Sequence, residues 1–244
     1  MKPKGILHVG AHLGQELEFY NSLKVNKVIW FEAIPEICSQ LKRKIKEYPN
    51  HIAINSLLYS VRGKSVRFYI SSNEKVSSSL NRPHLVSAVW PSIKFDETMD
   101  LKTETLDYII QKKAFDSNEY NCLVLDTQGS ELEVLKGFKN GIKDIEIIVT
   151  EISTKQLYRN SVLFEEIKSW LENQNFMLVA SQIHQEIGEG NALFLKSNVA
   201  NLLLSNRQPL FELIGRRLVF GIFIRETLLK FFPRHLVSKI SRKK

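Results

Sequence analysis

The sequence predicts an α/β fold: a mostly parallel β-sheet with helices on both faces, finished by an antiparallel hairpin near the C-terminus. Three observations predict it. The apolar run 6–9 stops at Gly10 and passes through Gly14 into the amphipathic segment 15–20, the order strand, tight turn, helix. Two more apolar runs, 28–31 and 122–125, each end on a carboxylate, Glu32 and Asp126, and each leads into helical periodicity. Lastly, 176–180 and 192–196 are strand-like runs joined by a polar, glycine-containing stretch, which suits a hairpin better than another strand–helix unit.

Taken in order, the first strand closes at a turn whose glycines bend without a Cβ clash and let a ligand come close. The free N–H groups of the following helix point back at that loop. Residues 27–32 are the second strand. Glu32 lies about 20 residues beyond the glycine turn, where a carboxylate accepts hydrogen bonds from both hydroxyls of a nucleoside ribose. Pro35 suits the first turn of a helix that buries Ile37, Leu41 and Ile45, and 51–55 is the third strand. Ser56, Leu57 and Leu58 follow it, beside the purine of any nucleoside held by Glu32. Residues 64–70 alternate in strand fashion after Gly63. From 71 to 102 no period is sustained, and the stretch is rich in Ser, Asn and Pro around His84 and Trp90; an irregular, lid-like insertion is expected.

Thr105 is placed to cap the next helix. The strand ending on Asp126 turns at Gly129 into a short helix in which Ser130 and Glu133 have capping-box spacing and Gly137 is the stop. Asp126 is therefore expected on the same carboxyl edge of the sheet as the Gly10 turn and Glu32, the edge where such sheets bind ligands. Residues 144–150 read as a fifth buried strand followed by Glu151, then a loop with Tyr158 and a helix marked by Phe164, Ile167 and Leu171.

Composition narrows the function. The chain has 244 residues, 43% of them hydrophobic, enough for one domain and an appendage. Its net charge of +8 belongs to one region: residues 198–244 hold ten Lys or Arg and two Glu, leaving 24 basic and 24 acidic residues elsewhere. A nucleic-acid-binding core is thus not expected. Cys38 and Cys122 have neither metal nor disulfide spacing, which points to a reducing compartment, and the start of the chain runs into the first strand with no apolar leader. Both set the expectation of a cytoplasmic protein.

The chain resembles the FkbM family of methyltransferases. The matching stretches, in the family's order and spanning 5–197, are His8-Val9-Gly10-Ala11-His12-Leu13-Gly14-Gln15-Glu16, Phe31-Glu32-Ala33-Ile34-Pro35, Ser77-Ser78-Ser79-Leu80, Thr105-Leu106-Asp107, residues 125–137 and Gly190-Asn191-Ala192-Leu193-Phe194. The resemblance implies a Rossmann-like class I methyltransferase sheet, S-adenosyl-L-methionine as cofactor, and O-methylation, commonly of sugars or natural-product hydroxyls. Two positions depart from it: His8 stands where the family often has Asp, and Gln128 where it often has Glu. The second removes a carboxylate that would join Asp126 around a divalent ion, so no metal is expected.

On this reading the Gly10-Ala11-His12 loop holds the methionine portion of the cofactor, Glu32 the ribose and Leu57 the purine side, Asp126 lies near the reacting end, and Gly14, Glu16, Ala33 and Gln128 are further cofactor-binding residues. Asp126 and Glu151 are the candidate proton acceptors, with His84 and His184 as outsiders on loops. The expected acceptor is a saccharide, a lipid-linked glycan or a related small molecule. A nicotinamide-dependent oxidoreductase is the alternative, although it favours a third glycine after Gly14 and a sixth parallel strand; a non-catalytic binding protein on the same fold is another. The domain is expected to end at 197. In the extension 198–244, Glu212, Arg216, Glu226, Lys230 and Arg234 share one helical stripe opposite a wide apolar face, and the run between Arg217 and Arg225 is seven residues, against the roughly 18 of a membrane span. That pattern suits an interfacial helix on the anionic inner face of a membrane, or docking on a partner subunit.

Overall fold

The computed structural model describes residues 3–205. In chain order the elements are β1 (Gly5–Val9), α1 (Leu17–Ser22), β2 (Lys27–Glu32), α2 (Pro35–Lys44), β3 (His51–Asn55), β4 (Leu57–Leu58), β5 (Ser65–Ile70), α3 (Val86–Val89), β6 (Glu97–Glu104) and α4 (Leu106–Lys113). The second half holds β7 (Cys122–Leu125), α5 (Glu131–Lys136), β8 (Ile147–Ser153), α6 (Phe164–Asn173), β9 (Phe176–His184), β10 (Glu189–Lys196) and α7 (Ser197–Ser205).

Seven strands form the main sheet in the order β3-β2-β1-β7-β8-β10-β9, and only β10 runs against its neighbours. The central strands are apolar on both faces because both faces are covered. Ile6, Val28, Trp30 and Cys122 pack with Tyr20 and Leu41 on one side, while Leu7, Ile29, Phe31 and Leu123 pack with Val134, Phe138 and Leu171 on the other. A smaller sheet, β4-β6-β5, flanks the site. The antiparallel β10 replaces the sixth parallel strand of a dinucleotide fold, which removes the main structural support for the nicotinamide alternative.

Register decides what meets at the carboxyl edge. Val9 is level with Phe31 and with Leu125, and Leu125 is level with Thr150, so Gly10, Glu32, Asp126 and Glu151 emerge side by side.

Four expectations need correction. The irregular stretch ends at Asp96 and not at 102, because β6 pairs antiparallel with β5; the alternation of Met99, Leu101 and Thr103 was masked by charged residues on the outer face. The last hairpin is longer than expected and takes in His184, which lies on the edge strand β9, with β10 between it and β8. Glu151 sits inside β8, not after it. The domain also continues past 197, since α7 docks on the sheet through the buried Ala200. The remainder of the extension, with its expected membrane or partner contact, lies outside the described residues. Among the described residues no helix is long and apolar enough to cross a membrane.

Candidate active site

The turn after β1 is fixed by its neighbours. Gly10 has a φ of +80°, and a Cβ there would lie 1.7 Å from the Asp126 carbonyl oxygen, so glycine is what lets the β1 and β7 loops touch. The Gly10 and Ala11 N–H groups both donate to the Phe31 carbonyl, at 3.0 and 2.9 Å. The Glu32 carboxylate then joins two loops: Oε2 accepts from the His12 N–H at 2.8 Å and Oε1 from the Ile34 N–H at 2.7 Å. Each oxygen keeps a second acceptor position. Burial drives the Glu32 pKa up to about 7, against the pull of the backbone N–H groups of Ile34, His12 and Ala33.

The loop after β7 is held by a residue that sequence reasoning passed over. Glu131, almost wholly buried, accepts from the Thr127 N–H at 2.8 Å, the Thr127 hydroxyl at 2.9 Å and the Gly129 N–H at 3.1 Å, and its burial raises its pKa. The expected capping box is not formed. Ser130 makes no cap hydrogen bond to the helix, and Glu133 pairs with Ser60 and Lys136 instead. An acid in the first turn of α5, facing free N–H groups, was the signal available.

Gln128, with a φ of +55°, folds its side chain back between two acids. Its Nε2 donates to Asp126 Oδ1 at 2.6 Å and to Glu151 Oε2 at 2.7 Å, while its Oε1 lies 3.0 Å from the Tyr158 hydroxyl. A flipped amide would set its oxygen against both carboxylates, so the network fixes the orientation. Asp126 Oδ2 has no hydrogen-bond partner among the described residues.

Part of the irregular stretch folds down over this edge. His12 Nε2 lies 2.8 Å from the Glu74 carbonyl, which can only accept, so that nitrogen carries the proton and Nδ1 accepts from Gln15 Nε2 at 2.7 Å. Lys75 pairs with Glu36, the Ser79 hydroxyl donates to the Gln128 carbonyl at 2.7 Å, and Asn81 Nδ2 donates to the Gly129 carbonyl at 2.8 Å. Beneath it is a cavity with about 520 Å³ of space between atoms, continuous with solvent.

Of the residues named from sequence, Gly10, His12, Glu32 and Ala33 line the cavity from one side, Leu57 from another, and Asp126 and Gln128 from a third. Ala11, Gly14 and Glu16 do not. Ala11 is buried in the core, Gly14 packs on Leu41, and Glu16 lies beside His8. Glu151 reaches the cavity only through Gln128. His84 is exposed, with its N–H on the Leu157 carbonyl. Ser56 lines it too, next to Leu57 as expected, whereas Phe68, Lys75, Val76 and Ser78 also line the cavity and were missed, because two further segments bring them there.

His8 Nδ1 lies 3.0 Å from the Tyr20 hydroxyl, and the ring stacks on Trp30 at 5.2 Å and is held down to a pKa of about 4 by burial, against the opposing charge of Asp126. It is neutral near pH 7, so its 4.0 Å approach to Glu16 is not an ion pair there. Asp107 is a structural acid: it accepts from the Asn140 and Gly141 N–H groups at 2.9 and 3.0 Å. Among the described residues no three His, Cys, Asp or Glu side chains converge on a metal position.

A family model described as the methyltransferase FkbM domain matches residues 8–178. A curated protein, uncharacterized protein L509 of Acanthamoeba polyphaga mimivirus, is 31% identical over 106 residues, which cover 39% of this chain and 36% of that protein. Among solved structures, M. capricolum TrmK in complex with S-adenosylhomocysteine aligns with a TM-score of 0.43 at 9% identity, covering 79% of this chain and 62% of that one. Magnesium protoporphyrin IX methyltransferase from Synechocystis PCC 6803 with bound SAM aligns at 0.44 and 10% identity, over 79% and 69%. Sp1610 of Streptococcus pneumoniae, a putative tRNA (m1A22) methyltransferase, aligns at 0.45 and 10% identity, over 86% and 75%. The chain thus spans about a third of the mimivirus protein's length and under two thirds of the TrmK chain.

Proposed function

The chain belongs to the FkbM methyltransferase family, and from that premise we propose that it moves a methyl group from S-adenosyl-L-methionine to a hydroxyl oxygen of a saccharide, lipid-linked glycan or related small molecule. The observation that carries this reading is the meeting of the Gly10 turn, Glu32 and Asp126 on one cavity. The donor set fits such a cofactor. Glu32 has acceptor positions left for two ribose hydroxyls, Leu57, Phe68 and Ile34 offer an apolar wall for a purine, and Asp126 brings negative charge toward a sulfonium.

When bound, S-adenosylmethionine supplies an electrophilic methyl on a positively charged sulfur. This chain's residues then have two tasks. One is positioning, which supplies much of the rate in an in-line displacement. The other is proton removal: Asp126 accepts the hydroxyl proton at Oδ2 while the acceptor oxygen takes the methyl group and the carbon–sulfur bonding pair stays on sulfur. Gln128 holds Asp126 by its other oxygen and ties it to Glu151, so the carboxylate keeps its aim.

Calorimetric titration with S-adenosylhomocysteine tests cofactor and site together. Glu32→Ala is expected to weaken binding by about tenfold or more, the worth of its hydrogen bonds to two hydroxyls. Equal affinity of the variant, or displacement of the ligand by NAD, defeats the proposal.

A further inference from the structure

Residues 82–84 and 157–159 meet as a short antiparallel seam beside the site. Pro83 pairs with Tyr158, the Arg159 N–H donates to the Arg82 carbonyl at 2.8 Å, and the His84 N–H donates to the Leu157 carbonyl at 3.0 Å. Arg82 therefore stands directly opposite Arg159. Tyr158 turns inward, its hydroxyl near Gln128, and both arginines are exposed. Like charges directly opposite on neighbouring strands repel. Neither guanidinium has a hydrogen bond or ion pair with any described residue.

The two segments that carry the pair are themselves basic. Residues 75–95 contain Lys75, Arg82 and Lys94 and no acid; residues 152–164 contain Lys155 and Arg159 and no acid. Both segments belong to residues 1–205, whose basic and acidic residues balance only when these five are counted. The positive seam lies one residue from Tyr158, whereas the reacting edge beneath it holds Asp126 and Glu151. A neutral acceptor gives this separation of charge nothing to act on. An acceptor with a hydroxyl at one end and an oxyanion at the other is oriented by it, drawn to the arginines and kept from lying the wrong way round by the carboxylates.

Resting on the methyl-transfer reading above, we propose that Arg82 and Arg159 dock a phosphate or carboxylate carried by the acceptor, so that the molecule methylated is an anionic hydroxy compound. Two guanidinium forks facing one oxyanion suit bidentate recognition.

The test uses the full chain, with and without S-adenosylhomocysteine, titrated calorimetrically with inorganic phosphate, D-glucose 6-phosphate and D-glucose. Both phosphates are expected to bind saturably and glucose not to bind at the same concentrations. The double variant Arg82→Ala/Arg159→Ala is expected to weaken phosphate binding by about tenfold or more while S-adenosylhomocysteine affinity holds. Arg159→Glu converts the repelling pair into an attracting one, so it is expected to lose phosphate binding yet melt no lower than the parent. Phosphate binding unchanged in the double variant, or absent from the parent, overturns the proposal. Failure of the parent to bind S-adenosylhomocysteine counts against the cofactor instead, and the titrations without it still decide the anion site.

Discussion

At the residue scale, burial acts on His8 and Glu32 with opposite sign. His8 titrates near 4 in the fold against an ordinary 6.5, so the stability it contributes is complete above 6.5 and is lost as pH falls toward 4. Glu32 titrates near 7 against 4.5, so its contribution is complete below 4.5 and is lost as pH rises through 7. Across the shared window the two oppose each other, and the pair leaves stability nearly level. His8→Asn should expose the imbalance. In urea unfolding, the parent is expected to gain on the variant by up to about 3 kcal/mol as pH rises from 4 to 6.5. A difference that does not change with pH would mean that His8 is not a buried neutral imidazole. Neither shift was legible in the sequence, because it depends on which layer covers the residue. The positions were legible, since an acid closing the second apolar run lands at the sheet edge whatever its titration.

At the element scale, the strand–turn–helix units were legible because each central strand is apolar on both faces and each stops at a turn residue or an acid, as at Gly10, Glu32 and Asp126. What sequence could not supply was how the stretch after β5 meets the rest. Its contacts are single polar groups, His12 to Glu74, Ser79 to Gln128 and Asn81 to Gly129, and such pairs leave no periodicity. Gln128 illustrates the same limit. It was named as a cofactor-site residue and it does line the cavity, but the sequence held no sign that its side chain would join Asp126, Glu151 and Tyr158. The Tyr158 hydroxyl has one proton and two acceptors in reach, the Ser77 carbonyl at 2.9 Å and Gln128 Oε1 at 3.0 Å. Removing it in Tyr158→Phe frees one tie and leaves the others. The expected cost is about 1 kcal/mol, with faster amide hydrogen exchange confined to residues 71–81 and 157–161. Faster exchange spread over the main sheet would show that Tyr158 supports the core, not the closure.

At the scale of the whole molecule, charge and structure divide the chain at different places. The excess of basic residues is confined to 206–244, ten Lys or Arg against two Glu, while 1–205 is balanced. The sheet domain does not stop at 197, because Ala200 is buried in the same cluster as Trp30 and Val199 packs against it. A truncation meant to isolate the basic segment should therefore keep α7, or it will open the core and confuse unfolding with lost attraction. We propose that residues 206–244 draw the enzyme to an anionic membrane surface, on the sequence argument that basic residues near such a surface contribute about 1 kcal/mol each. The full chain is expected to sediment with phosphatidylglycerol vesicles and not with phosphatidylcholine vesicles, less so as salt rises. The chain ending at Ser205 should stay in the supernatant while binding S-adenosylhomocysteine as the full chain does. If the shortened chain sediments equally, the attraction lies in the balanced domain and the basic segment is not its source. If it loses S-adenosylhomocysteine as well, the segment supports the site, and charge alone is the wrong guide to where this molecule divides.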